Sequence, residues 1–194
     1  MFLLHRPSPA AIDRFVAGSR ALPFSYAPLG ISTTAPAGYA LDETVVTIGR
    51  GPADFERARA ALAAWEHYAF DWVELYPRRP PIEVGANVVV LVRHLGFWSL
   101  NGCRIVQVFG DASGDRFGFA YGTLINHAEQ GEEIFEVYRD PESDDVLYRI
   151  RAVSRPRAAL AYAGYPITRA LQARFRCQSA EVMRRAANGL GAFI

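Results

Sequence analysis

Two adjacent glutamates follow a glycine and a lone histidine in "FGFAYGTLINHAEQGEEIFEV", residues 117–137. An imidazole and a carboxyl within reach of each other could move protons near neutral pH, with a phenol to donate a hydrogen bond to developing negative charge. The groups in question are His127, Glu133 and Tyr121, with Glu132 as the alternative carboxyl. Side chains alternate along a strand. Glu133 therefore shares a face with Phe135 and Val137, and Glu132 shares one with Ile134, Glu136 and Tyr138. The apolar company of Glu133 makes it the inward carboxyl. An inward carboxylate is costly to ionise without a cation beside it. Arg104, alternating with Val106 and Val108, is expected to face the same interior and to pair with it, as a structural or a functional ion pair.

These residues need a frame. On a strand over 116–124, Phe117, Phe119, Tyr121 and Thr123 take one face, and Gly118, Ala120 and Gly122 take the other. Glycine within a strand marks a bulge, a bend or a close approach. Here it is read as curvature, the sheet bending round an aromatic core. In "RHLGFWSLNGCR" (93–104), Phe97 and Trp98 are placed at the lip of a cavity. His127 falls in the turn after 116–124, where fastening a loop is its ordinary role and catalysis the sharper one. The ligand contacts expected are thus Trp98, Arg104, Phe119, Tyr121, Thr123 and Glu133.

The supporting elements follow from periodicity and punctuation. Ser8 and Pro9 read as N-cap and first residue of a short helix ending near Gly18. Residues 19–41 are rich in Pro, Gly, Ser and Thr and are expected to run as a loop, so that 1–41 is a strand, a helix and a loop preceding a core over 42–189 in a single domain. A strand is expected at 44–49. Gly51 and Pro52 then open a helix carrying Phe55, Ala58, Leu62, Trp65 and Ala69 on one face, with His67 beside that stripe and an end before Asp71. Strands are expected at 72–76, 87–94, 102–109, 116–124, 132–139 and 145–154, divided by turn residues. A last helix over 166–187 carries an apolar stripe of Ile167, Leu171, Phe175, Val182 and Ala186, with Gly189 just past its end. The fold class is α+β: a curved antiparallel sheet with a long C-terminal helix in its concave face, the START-like helix-grip order.

Composition narrows the function. The 194 residues include 12 Phe, 9 Tyr and 3 Trp, enough for a sizeable core. The net charge is +1 and the chain contains no lysine, so no global field draws it to nucleic acid or anionic lipid. The opening MFLLHRP is too short for a signal peptide or a span, and a cytoplasmic location is expected. Cys103 and Cys177 fit no metal spacing, and His5, His67, His94 and His127 are scattered, so neither metal nor cofactor is expected. No phosphate loop, nucleophile elbow or dinucleotide fingerprint is present.

Five segments together resemble a bacterial and plant family known as domain of unknown function nineteen-ninety. They are "GRGPADFERARAALAAWEHY" (49–68), "VGANVVVLVRHLGFWSLNGCRIV" (84–106), "FGFAYGTLINHAEQGEEIFEV" (117–137), "IRAVSRP" (150–156) and "GYPITRALQARF" (164–175). The resemblance implies no reaction, ligand or catalytic residue. Three readings stand on the residues alone. One is a binding domain for a small, largely apolar ligand. The second is an enzyme of the cyclase, dehydratase or hydrolase kind using His127, Glu133, Tyr121 and Arg104. The third is an interaction protein, since "VVVLV" (88–92) is apolar on both faces and needs cover, a homodimer being one source of it.

Overall fold

The computed structural model describes residues 1–94, 96–110, 114–157 and 165–190; parts of the turns expected at 94–98 and 110–115 lie outside them. Among the described residues, eight strands form one antiparallel sheet: β1 (Phe2–Leu3), β2 (Ala40–Arg50), β3 (Val73–Tyr76), β4 (Asn87–Arg93), β5 (Trp98–Gly110), β6 (Arg116–Thr123), β7 (Glu129–Arg139) and β8 (Asp145–Pro156). Their order is β2-β8-β7-β6-β5-β4-β3, and β1 adds to the first residues of β5, Phe2 opposite Ser99 and Leu3 opposite Trp98. Three strands begin earlier than their hydrophobic runs indicate, β2 doing so at Ala40, which pairs with Ser154. β5 starts at Trp98 because a tight turn, His94 N–H to Phe97 carbonyl at 2.8 Å, returns the chain at once onto β4. β7 starts at Glu129, which pairs with Pro156.

The helices are α1 (Pro9–Ser19), the single turn α2 (Ile31–Thr34), α3 (Gly51–Ala63) and α4 (Tyr165–Ala187), with one 3-10 turn at Glu66–Tyr68. Ser8 caps α1, its hydroxyl accepting from the Ala11 N–H at 3.3 Å. The apolar face of α3 (Phe55, Ala58, Ala61, Leu62) and the C-terminal half of α4 (Ala180, Met183, Ala187) fill one end of the concave surface against Phe119, Phe135, Tyr148 and Ile150. This is the α+β helix-grip arrangement. Helix α3 is shorter than its stripe, because Trp65 turns left-handed at φ 63°. The 3-10 turn that follows rolls His67 into the core, where it is fully buried and lies 4.6 Å from the Phe135 ring.

The convex face explains residues 19–41 and both faces of "VVVLV". Val88 and Val90 join the main core, while Val89 and Leu91 pack with Leu100 under Ile12 of α1. The cover that this strand requires therefore comes from its own chain. Glu132 and Arg104 are among the groups that strap the 19–41 segment to the sheet. Glu132, almost wholly buried, accepts from Tyr26 Oη (2.7 Å), the Gly30 N–H (2.7 Å), and the N–H (3.0 Å) and hydroxyl (2.7 Å) of Ser32. Arg104 donates to the carbonyls of Ser19, Arg20 and Leu22 and lies 5.4 Å over the Phe24 ring.

The glycines of β6 serve close approach rather than curvature alone. A Cβ on Gly122 would sit 2.0 Å from Tyr26 Oη, and one on Gly118 would sit 2.5 Å from the Phe109 ring. Both are places where a side chain lies flat on bare backbone.

Candidate functional site

The N-terminal half of α4 meets the core through Leu171 and Phe175, whose ring lies 6.1 Å from that of Phe135. Beneath this half of the helix a cavity of about 730 Å³ opens between Leu171 and Phe175 of α4 and the ends of β4 to β8. Helix and sheet are joined round it by polar ties as well as by the packing of Leu171 and Phe175. Arg169 grips Asp42 of β2 through two nitrogens, the Nη2–Oδ1 contact being 2.6 Å, and Arg176 stands 3.6 Å from the same carboxylate. That pairing holds the Asp42 carboxyl below its usual range. One turn from Arg169, Gln172 Nε2 donates to both oxygens of Glu129, at 3.1 and 2.9 Å. Positions 169, 172 and 176 share one helix face by their spacing of three and four.

At the floor, Tyr121 on β6 and Glu133 on β7 are directly paired rungs. Tyr121 Oη donates to Glu133 Oε2 at 2.7 Å, and Tyr68 Oη lies 2.6 Å from Tyr121 Oη, making a chain of three groups. Both phenols are held well above their usual range, first by burial and then by the Glu133 charge, to which the Tyr68–Tyr121 contact adds for Tyr121. Glu133 is pushed up to about 7, chiefly by burial; Tyr121 draws it back down, the neighbouring Glu129 raises it further, and Arg176 opposes that. Burial likewise raises Glu129. A carboxyl that titrates near neutrality, aimed into a cavity and hydrogen-bonded on one side only, can bind a ligand or exchange a proton with one.

The opposite wall carries neutral polar groups. His94 Nε2 is 2.8 Å from Ser99 Oγ, which also receives Asn101 Nδ2 at 2.9 Å, and the His94 ring stacks on Phe97 at 4.3 Å. His127 Nδ1 accepts from the Glu129 N–H at 2.9 Å, closing the turn into β7. Burial and the nearby amino terminus lower His127 to about 4, so it is a neutral imidazole at physiological pH.

Of the residues singled out from sequence, Tyr121, Thr123, His127 and Glu133 line the cavity. Three do not. Phe119 is fully buried below the floor, 4.7 Å from the Trp65 ring. Trp98 faces the convex side, under Arg6 and beside Leu100, whereas its neighbour Phe97 takes the cavity wall. Arg104 lies on the opposite face from Glu133, and the expected ion pair does not form. The reason is a bulge between Ile105 and Gln107. It breaks the alternation that had put Arg104 and Val108 together, and turns Cys103 and Ile105 inward. Glu129, Gln172, Arg176, Tyr68 and His94 are cavity groups that sequence reasoning did not single out. Only Glu129 left a signal: it has the parity of Glu133 once the strand is extended three residues toward the N-terminus.

Among the described residues, no group of His, Cys, Asp and Glu is placed to hold a metal ion, and no helix is long and apolar enough to cross a membrane.

Residues 25–182 match the family model described as "Domain of unknown function (DUF1990)", and the chain belongs to that family. A UPF0548 protein of Dictyostelium discoideum is 34% identical over 206 residues, covering 96% of this chain and 95% of its own. A UPF0548 protein of Deinococcus radiodurans is 36% identical over 201 residues, covering 96% and 99%. Among solved structures, a hypothetical protein of Helicobacter pylori is similar in fold, with a TM-score of 0.54 at 10% identity over 86% of this chain and 99% of that one.

Proposed function

We propose that this chain binds a small, largely apolar molecule between the concave sheet and the first half of α4, with Tyr121 and Glu133 orienting it. The observation that carries the reading is the cavity of about 730 Å³ itself. Its volume falls within the roughly 300–1,000 Å³ common to small-molecule sites, and its walls are mostly apolar with a few convergent polar groups, the composition such sites share. The polar ties at Asp42 and Glu129 fix the helix above the space, so the space need not close when empty. Mass spectrometry of gently purified protein, native against denatured, tests it. A bound small molecule is expected, and it is lost in Leu171→Trp, which fills the space from α4 without touching the polar floor. Retention of the same species by a correctly folded Leu171→Trp would overturn the reading.

The hydrogen-bonded chain Tyr68–Tyr121–Glu133 supports a second reading, acid–base catalysis of the cyclase, dehydratase or hydrolase kind in the same cavity. Glu133 would exchange the proton and Tyr121 would stabilise developing negative charge. His127 already uses Nδ1 in its turn, and Arg104 is on the wrong face to take part. The same measurement separates the two. Under catalysis, Glu133→Gln retains a different species, the unconverted substrate, from the one carried by the wild type; under binding alone the species is the same or absent.

A further inference from the structure

The charged groups on the cavity walls do not balance. Two carboxyls, Glu129 and Glu133, line the cavity with one guanidinium, Arg176. Glu132 also borders it, but its carboxylate is spent on Tyr26, Gly30 and Ser32 across the sheet. Arg176 leans on Asp42, and Arg169, next along the helix, grips Asp42 as well. Glu129 has both oxygens capped by the neutral Gln172 amide. Glu133 has one oxygen on Tyr121 and no partner among the described residues for the other. The groups packed round it from other elements are the hydroxyls of Tyr121, Tyr68 and Tyr148 and the Cys103 thiol, all neutral at pH 7. Its charged neighbours are Glu129 on its own strand, Asp42 on β2 and Arg176 on α4; Arg169 and Arg176 both turn to Asp42, so among the described residues no cation pairs with Glu133 itself. His127 contributes a neutral ring.

We infer that the ligand bears one protonated amine on an apolar body, and that the free oxygen of Glu133 holds that amine. This rests on the binding reading above and adds the ligand's chemical class. An ammonium would supply the missing positive charge at the one cavity carboxylate with an uncommitted oxygen. Tyr68, Tyr121 and Phe175 line the same space, and aromatic rings attract a desolvated cation placed over them. An anionic ligand would meet two carboxyls and a guanidinium already engaged elsewhere. A neutral ligand would leave Glu133 to remain protonated or to ionise alone.

Calorimetry with three naphthalene probes of similar shape tests this: 2-(1-naphthyl)ethylamine, 2-(1-naphthyl)ethanol and 1-naphthylacetate. At pH 7 the amine is expected to bind at least about tenfold more tightly than the alcohol, as a charge-assisted contact should exceed a neutral one. The carboxylate is expected to bind most weakly. Glu133→Gln is expected to abolish the preference for the amine over the alcohol, with far-UV circular dichroism showing an intact fold. A second measurement needs no variant. With Glu133 titrating at about 7, the amine should release about half a proton on binding at pH 7, read from the dependence of heat on buffer ionisation enthalpy, whereas the alcohol should release none. Equal affinities in the wild type, or tightest binding by the carboxylate, would overturn the amine and leave the cavity reading standing. An amine preference that survives Glu133→Gln would overturn the assignment to Glu133. Failure of all three probes to bind would overturn both inferences together.

Discussion

Tyr121 and Glu133 stand opposite each other on neighbouring strands, and the phenol donates to the carboxylate at 2.7 Å. That contact opposes the burial that drives Glu133 upward, because a donor favours the charged form. Tyr121→Phe should therefore move the Glu133 titration from about 7 toward more alkaline pH. Carbon-13 NMR of side-chain-labelled glutamate reads the midpoint directly. Tyr68→Phe should move it less, since Tyr68 reaches the carboxylate only through Tyr121. A larger effect from Tyr68→Phe would mean that the chain of three runs in the other order.

The raised titration of Glu133 also bears on stability. Its folded value of about 7 lies above the ordinary 4.5, so the unfolded chain gives up the proton first. The contribution is fully present below pH 4.5, falls as pH rises, and is gone above 7. Glu133→Gln keeps an acceptor for Tyr121 and removes the charge. The variant should come close to the wild type near pH 5 and exceed it at pH 8 by roughly 2–3 kcal/mol, about 4–12 °C in Tm for a chain of this size. Thermal melts at the two pH values check this, and an equal shift at both would show that Glu133 does not titrate in this window.

The contrast between Glu132 and Glu133 shows what was legible in the sequence. Strand parity assigns them to opposite faces and names Glu133 as the inward one, and the ladder agrees. Element order likewise carries the curved sheet and the long last helix. Parity does not survive a bulge, and the one between Ile105 and Gln107 cost the placement of Arg104. Nor does local pattern show what a polar group does on the convex side. Arg104 and Glu132 hold a segment some 100 residues away in the chain, which composition marks only as a loop. Gln172 and Arg176 read as the polar face of a helix; only the tertiary position of α4 turns that face toward a cavity.

His67 illustrates the same limit and gives a prediction of its own. Helical periodicity leaves it beside the buried stripe, but the left-handed Trp65 ends the helix early and His67 turns in among Trp65, Tyr68, Phe119 and Phe135. Among the described residues neither ring nitrogen has a hydrogen-bond partner, and burial lowers its pKa to about 3. A buried unpaired polar group costs about 1–3 kcal/mol. His67→Phe should therefore stabilise the fold at pH 7 by about 1 kcal/mol after some overpacking. The gain should widen in acid. The folded value lies below 6.5, so only the unfolded wild type takes up a proton as pH falls from 6.5 toward 3, losing up to about 1.4 kcal/mol per pH unit that the variant does not lose. Urea titrations at pH 7 and pH 5 measure both terms. A destabilised His67→Phe at both would point to a partner for the imidazole in solution.

Gly122 and Tyr26 form the corresponding test of the convex side. The phenol lies across the bare backbone of Gly122 to reach Glu132 at 2.7 Å, and an added Cβ would come within 2.0 Å of its oxygen. Gly122→Ala must therefore displace Tyr26. That breaks the hydrogen bond and loosens the contact of Tyr26 with Ile31 and Val153, at an expected cost of about 2–4 kcal/mol. With Tyr26→Ala already in place, no ring stands where the methyl group goes. Gly122→Ala should then cost much less, giving a coupling energy of about 1–3 kcal/mol between the two positions. Urea unfolding of the four proteins measures it. Additive costs would mean that the glycine serves the curvature of β6 and not the passage of Tyr26.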